Sequence, residues 1–333
     1  MNYNLLREDS CYYLIQEMSE FHETFKIQHE KELKKFFDEN GYVAIRGILT
    51  DDDCQNTLDD IDQQMKKIDP RFDINDASTY EHAPILNNFG MYAKKPIITE
   101  QFCKNRQNDS IHRAFQILCG EDQILVSIDR CAFYRPTIDH PDWKTNYVYP
   151  GLHLDFHPSS YLNCKTILDK RESLDYSTTA DFVAENNLYS KLDGIEIQCV
   201  INLMDNYEDD GGFQCVPGFH KEYPNWVTEK DFKNDYGEGV YHFSKTDKID
   251  MKYVHSPKRV PVPRGTVIFW TQFMAHGTKP NNSNNPRCIQ FMKGFGKKIV
   301  SKERLKKRSA CLKKEFAQIS FIPDKIGRKV FNL

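Results

Sequence analysis

The chain has 333 residues, enough for one large domain or two ordinary ones and for a sizeable hydrophobic core. Its 45 lysines and arginines nearly balance 48 aspartates and glutamates, so a net charge of -3 gives no global attraction to a polyanionic partner. Hydrophobic residues at 39% beside charged residues at 28% exclude a disordered or fibrous protein.

The cysteines and the hydropathy pattern indicate the compartment. Ten cysteines are scattered without a CxxC pair or regular spacing, unlike a zinc site or a disulfide framework. No basic segment followed by an apolar run opens the chain, and no run of about 18 apolar residues occurs in it. We therefore expect free thiols in a soluble, cytoplasmic protein without a membrane partner.

Helical periodicity dominates the first third of the chain. Apolar residues at helical spacing predict helical structure over residues 9–38, ending before Gly41. A short strand is expected at 42–45, and a helix should open at Thr50 and run to about Ile68. Another helix is predicted over 110–118.

After Gly120 the pattern changes to short segments rich in β-branched and aromatic residues. These segments predict antiparallel strands at 124–134, 151–156, 195–204, 213–216, 260–270 and 287–295. Long inserts separate some of them, at 158–193 and 221–258, and a basic helix is predicted over about 300–316. The pattern therefore predicts a mainly β fold with flanking α-helices, as a single domain over residues 1–333.

A histidine and a carboxylate lie two residues apart in one predicted strand. His153 and Asp155 share a face of that strand, because side chains alternate between the two faces. A metal held there needs a third ligand from another strand, and His276 is the candidate. Two histidines and one carboxylate leave coordination positions open, as iron(II) oxygenases require, whereas a structural zinc site is closed.

Two further residues lie where an anionic co-substrate could bind. Arg287 follows His276 by eleven residues and starts the next predicted strand, pointing back toward the same end of the core. A guanidinium can bind a carboxylate through two parallel hydrogen bonds. Thr278, two residues after His276, could add a hydroxyl to the same carboxylate.

Together these segments resemble the phytanoyl-CoA dioxygenase family of iron(II)- and 2-oxoglutarate-dependent oxygenases. The resemblance covers about residues 30–295. Its motifs are the opening segments 36–43 and 47–50, the central segments 202–205 and 210–220, and the closing segments 264–269 and 276–287. Asp210 and Phe219 depart from the residues usual in the central motif.

The resemblance implies a double-stranded β-helix, or jelly-roll, core with iron(II) held by His153, Asp155 and His276. It also implies that Arg287 and Thr278 bind the far carboxylate of 2-oxoglutarate, and that Arg135 lies near this co-substrate. With dioxygen as second co-substrate, the expected reaction oxidises a small-molecule or acyl substrate and releases succinate and carbon dioxide. Because related halogenases replace the carboxylate ligand with a small residue, an aspartate at this position implies oxidation without halogen transfer.

Two alternatives remain open at this level. The chain could be a non-catalytic member of the fold that binds a ligand, although the intact triad and arginine argue against this. The basic segment 293–314 could recruit a macromolecule for hydroxylation, or it could form a solvated helix face, which we favour because stacking aromatics are missing from it. We expect a monomer with no nucleic-acid partner.

The first insert leaves the core directly after the His153–Asp155 strand. At about 3.3 Å per residue its base must lie at the mouth of the metal site. We therefore expect it to form part of a substrate lid, the alternative being a surface excursion packed away from the mouth.

Overall fold

The structure, a computed structural model, describes residues 21–87, 89–145, 151–232 and 237–333. Within these ranges the strands form two antiparallel sheets, one of six strands and one of five. The strands are β1 (Tyr42–Ile45), β2 (Ile124–Val126), β3 (Cys131–Tyr134), β4 (Leu152–Leu154), β5 (Ile197–Asn202), β6 (Gly212–Cys215), β7 (Tyr241–His242), β8 (Lys258–Arg259), β9 (Val267–Thr271), β10 (His276–Lys279) and β11 (Arg287–Gly296).

The two sheets pack against each other as the two layers of a jelly roll. The larger sheet has the order β1-β9-β5-β11-β2, with β3 also paired to β11, and the smaller sheet has the order β7-β4-β10-β6-β8. Phe213 of the smaller sheet meets Trp270 of the larger one, with ring centroids 4.6 Å apart. The predicted jelly-roll core is confirmed.

Helices cover the outer face of the larger sheet and form parts of the inserts and the carboxyl-terminal segment. They are α1 (Glu30–Asn40), α2 (Asp51–Lys66), α3 (Glu100–Arg106), α4 (Asp109–Cys119), α5 (Pro158–Leu162), α6 (Cys164–Ser173), α7 (Ala180–Glu185), α8 (Phe219–Lys230), α9 (Met251–Val254), α10 (Lys302–Gln318) and α11 (Lys325–Val330). Thr50 and Asp53 form a capping box that fixes the start of α2. Phe115 of α4 packs edge-on against Phe269 of β9, which seats the helix on the sheet.

The structure corrects three sequence-based boundaries. The strand predicted over 124–134 is divided into β2 and β3, because residues 127–130 are not in a strand. The predicted helix over 9–38 begins at Glu30 in the described part of the chain; residues 9–20 lie outside the described residues, and 21–29 are not helical. Here Phe25 pairs with the edge of β1, donating to the carbonyl of Ala44 and accepting from the N–H of Arg46. Backbone pairing with the sheet therefore overrides helical periodicity.

The predicted strand over 260–270 begins only at Val267. Proline at positions 261 and 263 removes two backbone N–H donors, and the segment makes a single isolated bridge between Val262 and Asn206. Upstream of it, Lys258 and Arg259 form the short edge strand β8.

The carboxyl-terminal helix α10 agrees closely with its predicted limits. Its buried face contains Arg304, Arg308, Leu312 and Phe316, while several of its lysines face solvent. None of the helices in the described ranges is long and apolar enough to cross a membrane. The nine cysteines in these ranges are free thiols.

Candidate metal centre and co-substrate site

The two predicted histidine ligands are direct neighbours across the smaller sheet. β4 and β10 pair antiparallel, and His153 is the register partner of His276. Directly opposed residues of an antiparallel pair project from the same face, which brings these two imidazoles together with centroids 4.4 Å apart. Asp155, two residues after His153, projects from that face as well.

The three side chains form a compact ligand set. One donor atom from each of His153, Asp155 and His276 lies within 4.8 Å of the others. Asp155 bridges the histidines, with Oδ1 3.3 Å from Nε2 of His153 and Oδ2 3.6 Å from Nε2 of His276. No other group of three potential ligands this close occurs in the part of the chain that the structure describes.

The orientation of His276 suits metal binding. Its Nδ1 lies 2.9 Å from the carbonyl oxygen of Met274, and only an N–H at Nδ1 can donate to that carbonyl. Nε2 therefore faces Asp155 and His153, and a metal ion bound there would take the place of the Nε2 proton and of its interaction with Asp155. A hydrogen bond to the far ring nitrogen is the usual way in which proteins fix the tautomer of a metal-binding histidine.

The charge state of Asp155 also suits a metal ligand. Burial acts to raise its pKa, but hydrogen bonds and charge interactions with His153 and His276 hold this pKa well below its ordinary value. The side chain of His276 is 6% exposed, whereas those of His153 and Asp155 are 25% and 23% exposed. The centre thus combines two histidines with an ionised carboxylate, a set that fits iron(II) and opens on one side.

Arg287 at the start of β11 is a buried cation with a free donor. Its side chain stacks over the ring of Tyr134, its partner in β3, with the guanidinium carbon 4.5 Å from the ring centroid. It is 2% exposed, and its Nε has no hydrogen-bond partner. Burial lowers the pKa of this guanidinium, so an anion that paired with it would relieve an unfavourable state.

Gly212 packs directly against Arg287 and leaves no space for a side chain between them. A Cβ on Gly212 would lie 2.8 Å from Nε of Arg287 and 2.7 Å from Oδ1 of Asn206, closer than carbon atoms tolerate. Its φ of 110° also lies in a region that other residues rarely adopt. Only the fold reveals that Gly212 makes room for the arginine.

The other two predicted co-substrate residues differ in their surroundings. Thr278 projects from the same face of β10 as His276 and pairs with Phe213. Arg135 lies 4.6 Å from the ring of Trp143 and donates to the carbonyl of Tyr80 at 3.4 Å. Their roles in co-substrate binding stay predictions.

His242 is a candidate site residue that the sequence does not reveal. It belongs to β7, a two-residue strand in the second insert, and its register partner is His153. The two rings therefore share the metal-facing side, with centroids 6.0 Å apart, and His242 is exposed. Two residues are too few to produce a strand signal, so its position depends on a pairing that only the fold shows.

Comparisons with known proteins agree with this geometry. The family model "Phytanoyl-CoA dioxygenase (PhyH)" matches residues 187–289. A Dictyostelium discoideum protein named "Putative phytanoyl-CoA dioxygenase" is 35% identical over 288 residues, which cover 84% of this chain and 79% of that protein.

Two solved structures illustrate the structural likeness. GlcNAc Inducible Gene 2 (GIG2, DUF1479) from Candida albicans has a TM-score of 0.56 at 14% identity, covering 90% of this chain and 71% of its own. HygX from Streptomyces hygroscopicus, solved with nickel and 2-oxoglutarate bound, has a TM-score of 0.47 at 13% identity, covering 80% and 87%. The GIG2 likeness supports the fold, and the Dictyostelium relative extends over most of the chain. The protein therefore belongs to the phytanoyl-CoA dioxygenase family of iron(II)- and 2-oxoglutarate-dependent oxygenases.

Proposed function

We propose that this enzyme hydroxylates a small-molecule substrate, with iron(II) held by His153, Asp155 and His276 and with the distal carboxylate of 2-oxoglutarate bound by Arg287. The observation that carries the proposal is the pairing of an open ligand triad with a buried guanidinium that lacks a counter-ion. The buried guanidinium does not stabilise the fold by itself, because a buried charge without an ion pair is costly.

The chain's own residues would prepare the site for the reaction. When bound, iron supplies the redox chemistry by which dioxygen oxidises 2-oxoglutarate to succinate and carbon dioxide and contributes an oxygen atom to the substrate. Met274 holds His276 in the ligating tautomer, and Asp155 supplies the negative charge that a divalent cation requires. Arg287, with Thr278 beside it, would orient the co-substrate through its far carboxylate.

The walls around the centre would exclude water from one side. Trp270 lies 5.1 Å and Phe213 6.2 Å from the ring of His276, centroid to centroid. Both rings are buried in the layer between the sheets. Substrate would then approach from the opposite side, where His153 and Asp155 are partly exposed.

The packing of the basic helix α10 favours a small-molecule substrate over a macromolecular one. Arg304 and Arg308 of this helix are buried, and Nε of Arg308 bonds Glu185 at 3.2 Å. Two of its cations therefore serve the packing of the helix. Its exposed lysines form the solvated face that such a helix ordinarily presents.

Anaerobic titration with iron(II) and then 2-oxoglutarate tests the proposal. The chelate should produce its weak visible charge-transfer band in the wild type, and succinate should form once air is admitted. Asp155→Ala should lose the band, whereas Asp139→Ala, which removes an exposed carboxylate outside the triad, should keep it. A wild-type protein that gives neither band nor succinate would instead be a non-catalytic binding member of the family.

Substrate identity needs a separate screen. Metabolite mixtures incubated with the enzyme would be searched by mass spectrometry for compounds that gain one oxygen atom only when 2-oxoglutarate is present. Repetition with Asp155→Ala would separate enzymatic products from oxidation by free iron.

A further inference from the structure

A second buried arginine lies behind the proposed co-substrate anchor. Arg259 of β8 is 5% exposed, and all of its hydrogen bonds go to neutral acceptors. Its Nη2 donates to Oδ1 of Asn206 at 2.5 Å and to the carbonyl of Tyr207 at 3.0 Å, and its Nη1 donates to the carbonyl of Phe213 at 3.2 Å. Its Nε has no partner, as is also true of Arg287.

Asn206 accepts a hydrogen bond from Arg259 and lies near Arg287, without a hydrogen bond to its Nε. Its Oδ1, which accepts from Arg259, and Nε of Arg287 both lie within 3 Å of the point where a Cβ on Gly212 would be. The amide orientation is fixed from the other end, because Nδ2 of Asn206 donates to the carbonyl of Gly211 at 3.0 Å. The carbonyl oxygen of Asn206 therefore faces the arginines and cannot rotate away without losing two hydrogen bonds.

Neither guanidinium forms an ion pair with a carboxylate within the described ranges. The buried carboxylate of this region, Asp210, is occupied by neutral donors. Its oxygens accept from Oγ of Ser283 at 2.6 Å, from Nδ2 of Asn285 at 3.0 Å and from the N–H of Tyr207 at 2.7 Å. Two buried positive charges thus lie next to each other without a direct ion pair, although the charge of Asp210 acts on both and that of Glu208 acts on Arg259.

The electrostatics show that the two cations interact. Burial first, and the charge of Arg287 second, lower the pKa of Arg259 to about 9. Like charges in a poorly solvated region repel each other, and an anion bound between or beside them removes that cost.

The register determines how Arg259 can act. Arg259 pairs with Gln214, whereas its neighbour Lys258 pairs with Cys215, the residue opposite His276. Because neighbouring residues of a strand project from opposite faces, Arg259 lies on the face away from the metal ligands. It therefore acts on the co-substrate through Asn206 and Arg287, and through its charge, rather than by contact.

We propose that Arg259 and Asn206 form a positioning pair that holds Arg287 in place and makes this end of the site selective for a dicarboxylate 2-oxo acid. The proposal rests on the proposed role of Arg287 as the anchor. Its consequence is specific: removal of Arg259 should weaken binding of a co-substrate that carries a distal carboxylate, and should leave binding of one without it unchanged.

The test compares 2-oxoglutarate with 2-oxovalerate, which has the same chain length but no distal carboxylate. Both chelate iron(II) through the 2-oxo acid group, so anaerobic titration of the visible band measures both dissociation constants without turnover. The variants are Arg259→Gln, Arg259→Lys and Arg287→Gln. Arg264→Gln is the matched control, because this partly exposed arginine lies five residues along the chain and contacts Asp51.

Arg259→Gln should raise the dissociation constant of 2-oxoglutarate roughly tenfold, the effect of losing one charge in a partly screened interior. The constant for 2-oxovalerate should stay within about twofold, Arg259→Lys should lie between wild type and Arg259→Gln, and Arg264→Gln should match the wild type. The upward shift of the melting temperature produced by 2-oxoglutarate should shrink in parallel.

Three results would separate the inference from the function on which it rests. Equal weakening of both acids by Arg259→Gln would show a purely structural role, and wild-type binding of both would show no role; either overturns the inference. An unchanged 2-oxoglutarate constant in Arg287→Gln would instead overturn the anchor. If Arg259→Gln does not fold, Asn206→Ser breaks the link while keeping both charges, and it should show the same selective loss or the pair is rejected.

Discussion

Substitution of Gly212 by alanine tests whether Arg287 needs the space beside this glycine to bind 2-oxoglutarate. The new methyl group would lie 2.7 Å from Oδ1 of Asn206 and 2.8 Å from Nε of Arg287, so at least one of these side chains has to move. The backbone cannot easily relieve the contact, because its φ of 110° is already unfavourable for alanine.

Two unfavourable contributions to the free energy of folding should combine in Gly212→Ala. A non-glycine residue in such a conformation costs about 1–3 kcal/mol, and crowding a packed site by one methyl group costs typically about 1–3 kcal/mol. The smaller conformational entropy of the unfolded alanine chain offsets about 0.4–1 kcal/mol of this. We expect the free energy of unfolding to fall by about 3 kcal/mol, and the affinity for 2-oxoglutarate to fall because the guanidinium is displaced.

Gly47→Ala is the matched control. Gly47 also has a positive φ, 65°, but no atom lies within 4 Å of the position of its missing Cβ. Its replacement should cost only the left-handed strain, about 1 kcal/mol, and leave co-substrate binding unchanged. Chemical denaturation and anaerobic 2-oxoglutarate titration measure both quantities. Wild-type affinity in Gly212→Ala, or equal destabilisation by the two substitutions, would refute the argument.

Three further outcomes are expected. Asp155→Ala should abolish substrate oxidation without unfolding, since it removes a ligand from a partly exposed site; wild-type succinate production would exclude Asp155 from the metal shell. Arg308→Met should lower the free energy of unfolding by about 3–5 kcal/mol, because it leaves the buried carboxylate of Glu185 without its ion pair. Lys307→Met, on the more exposed side of the same helix, should lower it by less than about 0.5 kcal/mol. Equal losses of unfolding free energy in denaturant melts of the two variants would contradict this. Burial, and then Lys258, lower the pKa of His22 from 6.5 to about 4, so below pH 6.5 the unfolded chain takes up this proton first and the free energy of unfolding should fall toward pH 4. Because the ring is partly exposed and its interactions are screened, we expect a loss of about 1 kcal/mol. In thermal melts His22→Gln should flatten this pH dependence, and an unchanged dependence would exclude the histidine as its source.

The grouping of the candidate metal ligands was predictable because their positions follow from strand parity. His153 and Asp155 share a face in any strand that contains them, and the family motif supplies His276 and Arg287 as partners from distant strands. The fold then needs only an antiparallel pairing of β4 and β10 to complete the triad, and the register pairs His153 with His276.

The positions of the residues around the ligands were not predictable, because they do not follow from strand parity. The positions of three of them depend on very short strands or on an isolated bridge, namely those of His242, Arg259 and Asn206. Such segments are too short to show a hydrophobic periodicity in the sequence. The extended segment at 21–29 was mistaken for helix because its apolar spacing fits a helix, while its hydrogen bonds go to β1. Local sequence carries no information about which distant edge a segment will join.

The charges buried around the first insert limit which part of it can act as a lid. From Arg171 onward the insert is held at several points: Arg171 pairs with Asp193, Glu185 bonds Arg308 of α10, and the ring of Tyr189 lies 3.9 Å from the ammonium group of Lys293 inside the core.

Displacement of this part of the insert would expose or unpair buried charges, which is expensive compared with a loop motion. The first part, residues 162–170 ahead of the buried Arg171, instead presents the exposed apolar side chains Leu162 and Leu168. If the insert closes over substrate, we therefore expect the ligand-bound enzyme to be protected from trypsin at Lys165 and Lys170. Lys191 should resist cleavage whether or not ligand is bound, because its N–H bonds the carbonyl of Tyr161 and its neighbours are fixed. Cleavage at Lys191 that only ligand suppresses would show that the charge cluster opens with the site, and ligand-independent cleavage at Lys165 and Lys170 in a demonstrably occupied site would exclude a lid in the first part.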